Sequence, residues 1–154
     1  MRGPDLPAVK AISDAVHGPY TEDEAIYAER LALYPSGCLI LERDAVPVGY
    51  LIAHPWHSRT PPPLNKPLGA LPDDADTYYL HDIALLPVAR GSGVGVKGTM
   101  LALSEAAKAG FDTVTLTAVN GADRFWSSQG FTAVESQPDL YDPASQFMRR
   151  RLSR

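Results

Sequence analysis

The sequence predicts a mixed α/β sheet. Two observations carry this. A strand, a helix and a strand follow one another between residues 77 and 118, the succession of a βαβ unit. Short apolar runs separated by turn residues lie on either side of it and read as hairpins.

The elements follow in order. Asp5 to Val16 places Leu6, Val9, Ile12 and Val16 at helical spacing, and Pro7 suits a first turn. Thr21-Glu22-Asp23-Glu24 has the form of a capping box, with Thr21 as the cap and Glu24 at the third helical position. Acids there also suit the positive end of a helix dipole. Pro35 and Gly37 end that helix. Cys38 to Leu41 reads as a strand, Arg43-Asp44-Ala45 as a turn, and Val46 to Ala53 as the returning strand, broken by Pro55. Thr77 to Leu85 is aromatic and β-branched and stops before Pro87. Arg90 to Gly95 is a Gly-rich turn into a helix whose apolar stripe is Val96, Met100, Leu103 and Ala107, with Gly110 at its end. Thr113 to Ala118 alternates as a strand. Ala122 to Gln129 reads as a short helix, and Phe131 to Val134 and Gln146 to Leu152 as closing strands.

Composition narrows the function. The chain has 154 residues, 45% hydrophobic and 21% charged, which is ordinary for one globular domain over residues 1–154. A net charge of −4 argues against a general nucleic-acid binder. No apolar run approaches the roughly 18 residues of a membrane span, and the N-terminus lacks the apolar stretch of a secretory signal. The expectation is a cytoplasmic protein with no membrane partner. A lone Cys38 excludes an internal disulfide and a cysteine-rich zinc site, and suits a reducing compartment. It lies in an apolar run and reads as a small hydrophobe. His54 and His57 have a ligand-like spacing, but no neighbouring acid or cysteine completes a site, so no metal is expected.

Proline is in excess, at 14 residues, and six of these fall between Pro55 and Pro72. This Pro-rich loop, residues 55–72, is predicted to be an ordered wall, because proline lowers the entropy an ordered loop must lose.

The Gly-rich turn carries the chemistry. Arg90-Gly91-Ser92-Gly93-Val94-Gly95 joins a strand end to a helix start. Its backbone N–H groups and the helix dipole favour an anion, phosphate above all, and Arg90 adds a charged donor. A nucleoside-triphosphate loop would end in Gly-Lys-Ser/Thr, whereas here Lys97 precedes Gly98. Gly93 to Gly98 matches the dinucleotide GxGxxG string, but the next strand ends Ala118-Val119-Asn120 without the acid that a ribose needs.

The wider segment IALLPVARGSGVGVKGTML resembles the coenzyme-binding motif of the GNAT superfamily of acetyl-CoA-dependent N-acetyltransferases. A second segment, Asn120, Ala122, Phe125-Trp126 and Gly130-Phe131, is similar to that family's downstream signature. The resemblance implies a mostly antiparallel sheet with a central βαβ unit, splayed at the coenzyme site, with helices on both faces. It implies that coenzyme A lays its pyrophosphate on the Gly-rich turn and its pantetheine arm along the strand of Ile83 and Leu85. Ile83, Ala84, Leu85, Arg90, Gly91, Ser92, Gly93, Val94, Gly95 and Val96 are thereby assigned to the coenzyme, with Asn120 and Trp126 near the arm and thioester. An amide-bearing arm can use strand hydrogen bonds, which agrees.

Acetyl transfer to an amine needs a base, because an alkylammonium has a pKa near 10.4. His81 is the preferred candidate. Tyr79-Leu80-His81 also resembles the strand of arylalkylamine N-acetyltransferases, in which two histidines flank a Leu; here the first is Tyr79. Period-two alternation puts Tyr79, His81, Ile83 and Leu85 on one face and Asp82, a second candidate base, on the other. Trp126 stands where the family has a tyrosine acid, and an indole N–H is no acid. Tyr141, Tyr78 or Tyr79 substitutes for it, or the thiol leaves unaided, or the protein is an acyl-CoA-binding or sensing module without turnover. The Pro-rich loop and the first two helices would wall the acceptor site. Tyr20, Tyr27, Trp56 and Tyr79 are candidates for an aromatic box around an amine, and Glu22, Asp23 and Glu24 either attract the cation or form a solvated helix start. The acceptor is a small amine or a protein amino group, and a homodimer is allowed.

Overall fold

The computed structural model describes residues 1–135 and 141–153. Its helices are α1 (Leu6–His17), α2 (Glu24–Leu33), α3 (Val94–Lys108) and α4 (Asp123–Ser128). Its strands are β1 (Cys38–Arg43), β2 (Val46–Trp56), β3 (Thr77–Leu85), β4 (Thr113–Ala118), β5 (Thr132–Ala133) and β6 (Gln146–Arg151). They form one sheet in the order β1-β2-β3-β4-β6-β5. Every neighbouring pair is antiparallel except β3 and β4, the parallel pair that α3 connects. The mixed, mostly antiparallel sheet read from the sequence is therefore present.

Each face of the sheet buries a separate apolar layer. Leu51, Ala53, Tyr78, Leu80, Val114 and Leu116 pack with Ala102 and Ala106 of α3 and Trp126 of α4. Tyr50, Ile52 and Ala84 pack on the opposite face with Val9 and Ile12 of α1 and Tyr27 of α2.

Two departures from regular pairing shape the molecule. The parallel β3–β4 ladder holds only at Tyr78–Val114 and Tyr79–Thr115, so the strands part beyond it. In the β2–β3 ladder Ile52 pairs with Asp82 and Ala53 with Leu80. His81 is the extra residue of a β-bulge there. The bulge sets two consecutive side chains on the same face. His81 bonds Glu22 and Asp82 bonds His17, both on the α1–α2 side, whereas Ile83 meets Gly98 of α3. This corrects the alternation expected from sequence: Asp82 shares the face of His81, and Ile83 and Leu85 do not.

Three local expectations also change. The second helix starts at Glu24 with Asp23 as its N-cap, not at a Thr21 capping box. Thr21 instead bonds Ser13 and Asp14, and Glu22 is drawn inward to His81. Strand β2 runs through Pro55 to Trp56. Its pairing with β1 ends at Ile52, so Pro55 lies on a locally free edge where a missing N–H is tolerated. On α3 the buried residues are Thr99, Ala102 and Ala106, while Met100 is 63% exposed and Val96 40%. Small residues face the sheet because the helix lies close: a Cβ at Gly98 would sit 3.2 Å from the Ile83 side chain.

Gly37 permits the entry into β1. A Cβ there would lie 1.8 Å from the Ala53 carbonyl oxygen, part of the backbone. Gly37→Ala is expected to destabilise the fold by about 3 kcal/mol, the upper end of ordinary overpacking, read as a drop in the urea midpoint.

The Pro-rich loop is pinned by side chains of the α2 region. Glu29 accepts hydrogen bonds from Leu68 N and Gly69 N, Glu22 Oε2 accepts one from Asn65 N at 2.8 Å, and Asn65 Oδ1 accepts one from Asp23 N. Tyr141 Oη donates to Pro62 O. These bonds hold the loop against the α2 region and Tyr141.

Candidate active site

Where β3 and β4 part, they open a cavity of about 560 Å³. Its β3 wall is built by Leu80, Ile83 and Leu85, and its far wall by Leu116, Asn120 and Trp126. Leu86 N donates to Val48 O across the ladder. Alternation then turns the backbone groups of Ala84 toward β2 and those of Ile83 and Leu85 toward the opening. Strand β3 thus offers the backbone groups of Ile83 and the N–H of Leu85 to an extended ligand, while the Leu85 carbonyl accepts from Arg90. Ala84, assigned to a coenzyme from sequence, has its side chain packed on the α1–α2 side.

One end of the cavity meets the N-terminus of α3. Gly93 is its N-cap at φ 75°, a left-handed conformation that side chains disfavour, and Gly91 has φ 81°. A Cβ on either glycine would meet nothing within 4 Å, so the turn has open space above it. The first N–H groups of a helix have no carbonyl behind them; the first bond here runs from Lys97 N to Gly93 O. Val94, Gly95 and Val96 supply that first turn. Ser92 Oγ is turned inward to Ala89 O, so its hydroxyl braces the turn. Arg90 lines the cavity, and its Nε donates to Leu85 O at 3.0 Å. The result is an anion cradle next to a free strand edge. A phosphate-bearing, amide-containing chain fits both parts.

A second, smaller chamber of about 40 Å³ adjoins on the α1–α2 side. His17, His81, Asp82, Thr117 and Val119 line both spaces; Tyr20, Leu64 and Tyr141 line the small one. Two histidine–carboxylate pairs stand on the shared wall. His81 Nε2–H donates to Glu22 Oε1 at 2.6 Å, and both side chains are 2% exposed. The other ring nitrogen of His81, Nδ1, is buried without a partner. His17 Nε2–H donates to Asp82 Oδ1 at 2.5 Å, while Tyr50 Oη donates to Asp82 Oδ2.

Burial pushes the Glu22 carboxyl up, but the His81 ring and the Asn65 N–H outweigh it and hold the carboxyl below its ordinary value. Burial pushes His17 down, but the Asp82 carboxylate outweighs it and holds the ring above its ordinary value. The signs give a stability plateau. The Glu22 contribution is present above its ordinary value of 4.5 and is lost as pH falls through the lower folded value. The His17 contribution is complete below 6.5 and is lost as pH rises through the higher folded value. Melting temperature is therefore expected to fall on both sides, and Asp82→Asn to flatten the alkaline side.

The structure brings His81, Asp82, Ile83, Leu85, Arg90, Gly95, Asn120 and Trp126 to one cavity. It does not assemble the aromatic box. Tyr20 borders the chamber, but Tyr27 is fully buried against Tyr50 and bonds Ser13 at 2.6 Å. Trp56 donates to Thr60 O away from both spaces. Tyr79 is buried, bonded to Thr117 at 2.9 Å and 3.5 Å from the Tyr141 hydroxyl. Burial pushes Tyr79 up to about 12 and raises Tyr141 as well, which makes both poor acids. Burial likewise lifts the Cys38 thiol to about 12. Trp126 is 5% exposed and stacks edge-on with Phe125 and Phe131. Among the described residues no three His, Cys, Asp or Glu side chains form a metal cluster, and no helix is long and apolar enough to cross a membrane.

Sequence reasoning did not find the roles of Glu22 and His17. Glu22 read as part of a helix start, and its pairing spans 59 residues. His17 had one weak signal: it ends α1, where a helix dipole favours a cation.

Comparisons with known proteins agree with this geometry. A search among curated proteins gives no match. Among solved structures, Ard1 from Thermoplasma volcanium has a TM-score of 0.77 at 18% identity, covering 100% of this chain and 95% of that one. The ribosomal-protein-S18-alanine N-acetyltransferase from Escherichia coli has a TM-score of 0.71 at 18% identity, covering 100% and 92%. A structure named GphF GNAT-like decarboxylase in complex with isobutyryl-CoA has a TM-score of 0.80 at 16% identity, covering 99% and 97%. At these identities the likeness is one of fold. The family model described as Acetyltransferase (GNAT) family matches residues 8–131. With the splayed sheet and the Gly-rich helix start already in place, that match shows that the chain belongs to the GNAT acetyltransferase family and is an acyltransferase.

Proposed function

We infer that the protein is an N-acetyltransferase that moves the acetyl group of acetyl-CoA to a primary amine, directly, with both bound at once. One observation carries the reading: the buried His81–Glu22 pair, with Nδ1 unpartnered, stands on the wall between the large cavity and the small chamber.

The N–H groups of residues 91–96 and the Arg90 guanidinium would hold the pyrophosphate, and the free edge at Ile83 and Leu85 the pantetheine arm. The bound coenzyme supplies an activated acetyl group. The chain's own residues do the rest. The amine enters the chamber as an ammonium. Glu22 accepts the Nε2–H of His81, which leaves Nδ1 as the proton acceptor, and the same carboxylate stabilises the imidazolium that forms. Asp82 is assigned as the partner of His17 and Tyr50, which its two oxygens already bind, and His81 as the base. The chamber volume is about that of a single water. It admits an amino head, while the body of the acceptor rests toward Tyr20, Leu64 and Tyr141. That serves a small amine and a protein amino group alike.

The test is release of free thiol from acetyl-CoA across a panel of amines and peptides. Acceptor-dependent release supports the reading. Tight coenzyme binding with release no faster than hydrolysis for every acceptor overturns it, and favours a binding or sensing module, the alternative that Trp126 suggests.

A further inference from the structure

We propose that His17 is the proton donor to the departing thiol, the part left vacant by Trp126. The proposal rests on the reading of the cavity as a coenzyme A site.

His17 reaches the cavity only because α1 ends there, and Asp82 meets it only because the bulge at His81 turns Asp82 to the α1–α2 face. Of the other side chains on the cavity wall, Arg90 keeps its proton at any ordinary pH. Asn120, Thr117 and the Trp126 indole are not acids. His81 is engaged in accepting a proton. Tyr141 lines only the small chamber and donates to Pro62 O. Among the described residues, His17 is the remaining group on that wall that can hold a proton at neutral pH and release it. Asp82 beside it, the C-terminal end of α1 and the Glu22 carboxylate all favour its charged form. The other titratable groups that face it are His81, Tyr20 and Tyr141 around the chamber, with Tyr50 behind Asp82.

In the step, the amine nitrogen, having given one proton to His81, forms its bond to the acetyl carbon and releases a second proton to water as the amide forms, and the C–S bond breaks with its electron pair going to sulfur. The proton on His17 Nδ1 moves to that sulfur, giving the free thiol. His17 is left neutral, its Nε2–H still on Asp82, and takes a new proton from water. The proton taken by His81 also returns to water.

The test reads the ground state of the bound thiol. Coenzyme A is titrated on the wild type and on His17→Gln, following the thiolate ultraviolet band, with desulfo-coenzyme A as the control ligand. The expected wild-type result is a bound thiol with a pKa at least one unit below that of free coenzyme A titrated in parallel. In His17→Gln the thiol returns to that value, desulfo-coenzyme A affinity changes less than about threefold, and kcat falls about 100-fold. Identical thiol titrations in the two proteins overturn the proposal. If His17→Gln does not fold, ring nitrogen NMR of the wild type decides. A His17 signal that is doubly protonated near pH 7 and moves with coenzyme A but not with desulfo-coenzyme A supports the role; equal movement with both removes it. Failure of both ligands to bind the wild type would instead overturn the coenzyme reading.

Discussion

Replacing His81 by alanine lowers kcat for amine acetylation by about 10²–10⁴-fold, the range that general-base catalysis contributes. The acidic limb of the pH–rate profile disappears with it. Glu22→Gln is the informative companion. Glutamine can still accept the Nε2–H, so the ring keeps its orientation, but it no longer stabilises the imidazolium. The loss is expected in kcat rather than in KM for the amine, and smaller than that of His81→Ala. Both substitutions fall in a buried pair of 2% exposed side chains, so the melting temperature must be measured beside the rates. Near-normal kcat with an unchanged acidic limb in folded His81→Ala would remove this histidine from the reaction.

Gly93→Glu abolishes coenzyme binding, raising the dissociation constant by more than about 100-fold. Two effects add. The residue has φ 75°, where a side chain costs about 1–2 kcal/mol. The carboxylate also places a negative charge at the helix N-terminus, where the pyrophosphate would be held. Gly93→Asn separates the two effects, since asparagine tolerates the left-handed region and adds no charge. It should bind within about tenfold of wild type by calorimetry. Unaltered coenzyme affinity in Gly93→Glu would mean that the turn is not the phosphate site.

What could be read from the chain depended on how local its cause was. Thr77–Leu85 and Thr113–Ala118 were legible to the residue because their composition and alternation are local. The Gly-rich turn was legible for the same reason: consecutive glycines between strand and helix have few other uses. The stripe of α3 was misread because the face packed on a sheet this close must be small, so Met100 and Val96 lie outward. The Thr21 cap failed because a distant histidine competes for Glu22. Neither partner pair was legible. His17–Asp82 and Glu22–His81 span 65 and 59 residues, and nothing local records them. Nor was the aromatic box: Tyr27 and Tyr79 are aromatic for packing and for bonds to Ser13 and Thr117, reasons indistinguishable in sequence from recognition of a cation.

The bulge in β3 has a consequence for how this protein tolerates change. Substituting a residue on an even strand alters one side chain. Deleting one residue between Leu80 and Ile83 would instead cancel the offset and regularise the ladder. The one residue left between them would face the α1–α2 side opposite Ile52, and it could complete only one of the two acid–histidine pairs. Both pairs need two residues between Leu80 and Ile83, so a change in length costs one pair whatever residue is left. In a deep mutational library, single-codon deletions at 81–82 should be depleted far more strongly than conservative replacements at the same codons.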